Sequence, residues 1–156
     1  GTLSLASTDG TKRQLVAEDF FIGPFETARE ENEILLSLAW DEAPKHTGSA
    51  YKKWGLVTDT LPVVGMCITV TLDNDRCSVA RVAVAGLADG AQLAAAGGAA
   101  LIGSDGGSES IAAAMNAVVA EVETHSDHWA DAAYREQLIR SIGTDVAALA
   151  FARARV

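Results

Sequence analysis

From Met66 to Asp73 apolar and polar side chains alternate. Met66, Ile68, Val70 and Leu72 fall on one side, and Cys67, Thr69, Thr71 and Asp73 on the other. A period of two over this length predicts a half-buried strand. Asp73-Asn74-Asp75 supplies turn chemistry, and Ala80, Val82 and Val84 carry the inward face back on a return strand. A three-residue loop centred on Asn74 pairs Met66 with Val82 and Ile68 with Ala80. It sets Cys77 opposite Thr71 and Cys67 opposite Arg81. On that register the cysteines are not neighbours, and no disulfide is expected. Upstream, residues 3–6 and 13–16 flank Asp9-Gly10, a hairpin signal, and residues 33–40 read as a strand. After Gly86 the period lengthens. Residues 92–101 predict an Ala-rich helix weakened by Gly97 and Gly98. Ser108 is placed as the N-cap of a second helix with Glu109 in its first turn, and Ile111, Met115, Val118 and Val122 mark its apolar face. A last helix begins near Asp131, with Tyr134, Leu138, Ile142 and Val146 about one turn apart. Strands followed by three helices predict an α+β fold, an antiparallel sheet covered on one face by about three helices.

Composition narrows the picture. The chain has 156 residues and 49% hydrophobic residues, many of them Ala, so the core should be thin and closely packed. The net charge of −9 argues against a nucleic-acid backbone or an anionic membrane as partner. No apolar run approaches the roughly eighteen residues that cross a bilayer, and no signal-peptide pattern is present. The chain reads as soluble and cytoplasmic, with two cysteines, both inside apolar runs, that suit a reducing compartment. It starts within a strand pattern and without Met, and Gly1 resembles a cloning remnant. It is therefore expected to be a piece of a longer protein.

Candidate chemistry is sparse. There is no Gly-x-Gly-x-x-Gly after a strand, no phosphate-cradling Gly-Lys-Ser/Thr loop and no Gly-x-Ser-x-Gly elbow. "GGSES" at 106–110 reads as a connector before a helix, with anion binding by the helix amides as the sharper alternative. "HSDH" at 125–128 is the one metal-like cluster, but a loop between helices is a normal place for solvated His and Asp, and no further His or Cys lies nearby in sequence. Glu30, Glu31 and Glu33 read as a solvated turn. Lys52 and Lys53 beside Trp54 either hold a phosphate or a ring, or keep a strand edge soluble. No catalytic residue and no metal ligand is assigned.

The order of segments is more specific than any of these. "AEDFFIGPFETA" (17–28) resembles the Phe-Phe-x-Gly-Pro-[Phe/Tyr]-x-Thr-Ala segment of the flavoprotein (medium) subunits of molybdenum hydroxylases, the carbon monoxide dehydrogenase and xanthine dehydrogenase type. "NEILLSLAW", "GSAYKKW" (48–54) and "LPVVGMCITVTLD" (61–73) are similar to the strands that follow it in that family. "SDHWADAAYREQLIRSIGTDVAALA" (126–150) resembles its closing Ser-Asp-x-x-x-Ser-x-x-Tyr-Arg-x-x-Leu helix.

The resemblance implies two parts. Residues 1–55 are the tail of a second flavin-binding subdomain, and residues 56–156 are a small C-terminal α+β domain. It implies FAD in the parent protein, receiving electrons from a [2Fe–2S] iron–sulfur subunit and passing them to an external acceptor, beside a large molybdenum subunit. The piece itself is expected to be mainly structural, inactive and without bound FAD. The alternative is a stand-alone non-redox binding or assembly domain of the same architecture. By analogy with where the family's chain passes the flavin ring, the candidate cofactor-binding residues are Lys53, Thr58, Asp59, Thr60, Leu61 and Pro62. Two departures stand out: no Gly-rich pyrophosphate loop is present, and Leu56 and Val57 stand where the family has a basic pair. Three of the four phenylalanines lie in the 17–28 segment. Phe20, Phe21, Ile22 and Phe25 are expected to bury against the sheet and the C-terminal domain, each ring worth about 2–3 kcal/mol. Trp129 and Tyr134 are expected to pack on the helices.

Overall fold

The computed structural model describes residues 1–23, 25–57, 59–88 and 90–156. They form two compact units, Gly1–Ala43 and Pro44–Val156. The division by packing thus falls upstream of the residue 55 expected from sequence.

The first unit contains β1 (Thr2–Ser7), β2 (Lys12–Val16), the single-turn α1 (Ala17–Phe20), a hairpin of β3 (Phe21–Gly23) and β4 (Glu26–Thr27), and β5 (Glu33–Ala39). β1, β2 and β5 make an antiparallel sheet in the order β2-β1-β5. Gly10, at φ +88°, and the Asp9 carboxylate, which accepts from Thr11 N at 2.8 Å, close the β1–β2 turn. The buried core is Leu3, Leu5 and Phe20, backed by Leu15 and Ala17. Glu33 is not the solvated turn residue expected. It is 6% exposed and takes a two-pronged contact from Arg13, Nε to Oε1 at 2.7 Å and Nη2 to Oε2 at 2.8 Å. That guanidinium holds the Glu33 carboxyl at about 2, well below the usual carboxylate range. Arg13 Nη2 also donates to Ala28 O at 2.6 Å, which ties down the base of the Phe-rich hairpin.

Burial of the whole Phe cluster is overturned. Phe20 alone is buried, with Phe21 edge-on against it at 5.1 Å. Phe21 is 69% and Ile22 59% exposed, and Phe25 is fully exposed at φ +61°. Among the described residues β3 and β4 pair with each other and with no other strand, and apart from the contact of Phe21 with Phe20 their large side chains project into solvent. Pro24 of the expected Gly-Pro turn lies outside the described residues.

The second unit carries a four-stranded antiparallel sheet, β6-β7-β8-β9, from β6 (Thr47–Trp54), β7 (Val64–Asp73), β8 (Arg76–Leu87) and β9 (Gly90–Leu93). Helices α2 (Ala95–Leu101), α3 (Ser108–Glu121) and α4 (Ala132–Ala154) follow. The alternation read from sequence holds: Met66, Ile68, Val70 and Leu72 are buried, while Cys67, Thr69 and Thr71 are partly exposed. They pack with Ile111, Met115, Val118, Ile139, Ile142, Val146 and Phe151 of the helices. Small residues permit the close approach: a Cβ on Gly48 of β6 would lie 2.0 Å from Ala150 O, and one on Gly143 of α4 would lie 2.1 Å from Met115 Sδ.

The β7–β8 register differs from expectation. Asn74 and Asp75, at φ +48° and +61°, form a two-residue turn, and a bulge follows between Thr71 and Leu72. Met66 therefore faces Val84 and Ile68 faces Val82. Cys67 lies opposite Ala83 and Cys77 opposite Leu72, and both thiols are free. Beyond the bulge the displacement is two residues, an even number, so Met66 and Ile68 keep inward-facing partners; between the turn and the bulge it is one, so Cys77 leaves the outer face expected opposite Thr71 and is buried opposite Leu72. Residues 92–93, expected in a helix, end β9 instead. Gly90, at φ +93°, follows the turn that allows β9 to pair back on β8. Ser108 is the first helical residue of α3 and not its cap; Gly107 takes that place without a side-chain bond. Asp131 does cap α4, accepting from Tyr134 N at 2.7 Å.

Candidate functional site

Residues 55–62 leave the sheet between β6 and β7 and hold five of the six residues singled out as flavin-facing. Val63 N donates to Trp54 O at 2.8 Å and closes the loop. Inside it, Thr60 donates to Val57 O through its amide at 3.3 Å and its hydroxyl at 2.8 Å. Thr58 lies outside the described residues. Asp59 is exposed, Pro62 half-buried, and Leu61 83% exposed beside exposed Leu56 and Val57. The loop thus presents three aliphatic side chains to solvent.

The paired lysines separate. Lys52 turns toward the helices and meets Asp145 of α4 at 2.7 Å. Lys53, the next residue along a strand, points to the opposite, uncovered face and sits in register with Gly65. No hydrogen bond or ion pair joins it to Asp59 among the described residues. A flavin ring needs an apolar wall with a few polar groups at its edge. Leu61 and Pro62 are of the apolar type and Lys53 of the polar type that such a site uses, and these residues include no cradle for a pyrophosphate.

The "HSDH" stretch has another occupation. Asp127 accepts from Trp129 N at 2.8 Å and Ala130 N at 2.9 Å, and from Arg135 Nη2 at 2.6 Å. The backbone bonds from Ala130 and Trp129, with the Arg135 charge, hold its carboxyl at about 2. His125 Nε2 lies 3.4 Å from the same carboxylate. No cluster of three metal-ligating side chains occurs among the described residues. Ser126 also has a local task, accepting from Ala132 N at 3.0 Å.

Arg135, which the sequence marks only as part of the Tyr-Arg-x-x-Leu resemblance, has a role in packing that the motif does not state. It is only 2% exposed, yet it donates from Nη1 to Val63 O at 2.6 Å and Gly86 O at 2.8 Å. Its signal was present: positions 135, 139, 142 and 146 share the buried stripe of α4, and an arginine on an apolar stripe implies dedicated partners. Tyr134 stands edge-on to Trp54, ring centroids 5.7 Å apart. Elsewhere, an open pocket of about 250 Å³ lies where Arg81, Val82 and Leu93 meet Gly98 of α2. Its lining is mainly aliphatic. No helix among the described residues is long and apolar enough to cross a membrane.

Comparison with known proteins places these elements. The family described as CO dehydrogenase flavoprotein C-terminal domain matches residues 49–148. The carbon monoxide dehydrogenase medium chain of Hydrogenophaga pseudoflava is 28% identical over 124 residues, 80% of this chain and 43% of that protein. The solved carbon monoxide dehydrogenase of that organism, in a form lacking the Mo-pyranopterin moiety of the molybdenum cofactor, superposes with a TM-score of 0.85 at 28% identity. The match covers 97% of this chain and 53% of that one. Two further structures share the fold at lower identity. Quinoline 2-oxidoreductase from Pseudomonas putida 86 has a TM-score of 0.85 at 21% identity, covering 99% of this chain and 53% of that one. CO dehydrogenase from Oligotropha carboxidovorans has a TM-score of 0.88 at 22% identity, covering 97% and 53%. The chain spans about half the length of the relatives it matches.

Proposed function

Because the chain belongs to the CO dehydrogenase flavoprotein C-terminal domain family, we propose that it is the C-terminal portion of an FAD-dependent electron-transfer subunit of a molybdenum hydroxylase. In this reading electrons pass from an iron–sulfur partner to FAD and on to an external acceptor, and a large molybdenum subunit carries out the substrate chemistry. The observation that carries it is the family match, which runs through β6, the 55–62 loop, β7 and the first turns of α4. FAD, when bound, supplies the electron-accepting and electron-releasing chemistry. The residues of this chain supply one wall. Leu61 and Pro62 exclude water from a ring face, and Lys53, Asp59 and Thr60, with Thr58, offer polar groups at its edge. The work of this piece is mainly structural.

Two measurements test the reading. The 156-residue chain, mixed with FAD and passed through gel filtration, is expected to emerge without flavin absorbance. Retained flavin would show a complete site here and overturn the structural assignment. A longer protein that contains this chain is expected to carry a flavin spectrum that bleaches on reduction. A longer protein that takes up no flavin leaves the non-redox assembly domain as the reading, which the aliphatic Leu56, Val57 and Leu61 surface would then serve.

A further inference from the structure

We infer that Tyr134 and Arg135, the adjacent residues at the start of α4, form a clamp that fixes the 55–62 loop by gripping the residue at each of its ends. One end is Trp54, the last residue of β6, whose indole meets the Tyr134 ring in a T-shaped contact at 5.7 Å and 81°. The other is Val63, immediately before β7, whose carbonyl accepts from Arg135 Nη1 at 2.6 Å. These same two residues are joined to each other by the Val63 N–Trp54 O bond. A single helical turn thus engages both halves of the loop's closing pair.

The guanidinium is suited to this position. Val63 O and Gly86 O converge on one Arg135 nitrogen, and two carbonyl dipoles that meet away from water need a cation between them. Gly86 makes the convergence possible. It sits at φ +85°, and a Cβ there would lie 2.6 Å from Val63 O and 2.8 Å from Pro62 O. The second guanidinium nitrogen is taken by Asp127, itself fixed by two backbone amides. A planar fork can bridge two carbonyls and a carboxylate at once, whereas a lysine ammonium acts from a single point. Within the loop, among the described residues, the hydrogen bonds are the two from Thr60 to Val57 O. Its position relative to the sheet is therefore set from its ends.

The clamp makes Tyr134 and Arg135 positioning residues for the segment proposed above to face the flavin, and that consequence rests on the flavin reading. The clamp itself is tested without FAD. Amide hydrogen exchange is measured on the 156-residue chain and on Arg135→Lys, Tyr134→Leu and, as a control elsewhere on α4, Ile142→Val. Exchange at Val63 and Thr60 is expected to accelerate at least about tenfold in Arg135→Lys and Tyr134→Leu. Amides in the middle of β7 should shift by no more than they do in Ile142→Val. Equal acceleration of loop and sheet amides in every variant would overturn the clamp and leave a general stability effect. Tyr134→Leu alters a half-exposed ring, so it carries the test if Arg135→Lys does not fold. A positive exchange result beside a longer protein that binds no flavin keeps the clamp and discards the flavin reading. A flavin-bound longer protein with a negative exchange result does the reverse.

Discussion

Replacing Gly48 and Gly143 separately by alanine adds one methyl group to the same β6–α4 layer with different consequences. At Gly48 the new Cβ would stand 2.0 Å from Ala150 O, 2.5 Å from Ala154 N and 3.0 Å from Arg153 C. All three are backbone atoms of one helix. Ordinary contact is about 3.5 Å, so that end of α4 has to withdraw by more than about 1 Å. No rotamer change relieves the clash, and the packing of Ala147, Ala150, Phe151 and Ala154 opens with it. Overpacking costs about 1–3 kcal/mol where side chains can adjust. Here they cannot, and a loss of about 3 kcal/mol or more is expected. At Gly143 the new methyl meets Met115 Sδ at 2.1 Å and Met66 Cε at 3.2 Å, both on adaptable thioether chains. Alanine also returns up to about 1 kcal/mol of helix propensity, so the net cost is expected between about 0 and 2 kcal/mol. Urea unfolding followed by far-UV circular dichroism reads the difference, because the helices longer than one turn are all in the second unit. A Gly48→Ala protein as stable as Gly143→Ala would refute the claim that helix backbone, and not side chains, bounds that site.

Two further outcomes follow from the same structure. The Asp127 carboxyl is lowered from 3.8 to about 2 by its bonds to the Ala130 and Trp129 amides and by Arg135. Its stabilisation is complete above about pH 4 and is lost as pH falls toward 2, because the unfolded chain takes up the proton first. Thermal melts of Asp127→Asn are expected to be flatter than the parent's across that window and lower than the parent's at neutral pH; parallel pH profiles would be the contrary result. Asp75→Gly is expected to raise stability by about 0.5–1 kcal/mol, because residue 75 sits at φ +61° in the second place of a two-residue turn. A lowered urea midpoint would show that the Asp75 side chain matters more than its backbone.

Periodicity made the sheet and helices legible because burial enforces it. The inward run Met66, Ile68, Val70 and Leu72, and the helix positions Ile111, Met115, Val118, Ile142 and Val146, are buried as the pattern requires. The β7–β8 register was not legible, since a two-residue turn plus a bulge and a three-residue turn both keep Met66 on the inner face. Apolar content alone does not tell burial in the Phe-rich segment: of its rings Phe20 is buried, Phe21 leans on it by one edge, and Phe25 stands in solvent. Arg135 was visible in principle as a charge on an apolar stripe. Besides the Asp127 carboxylate, its acceptors are backbone carbonyls 72 and 49 residues away, and backbone acceptors leave no trace in sequence.

β5 has a consequence for the behaviour of this piece in a test tube. Ile34, Leu36 and Leu38 lie exposed on the outer strand of the first unit's sheet, in the run "ILLSLA" without charge or proline. Such an edge is a template for lateral pairing between molecules, opposed mainly by the mutual repulsion of chains carrying −9 each. Low ionic strength is therefore the kinder storage condition, and added salt removes the repulsion that keeps neighbouring strands from annealing.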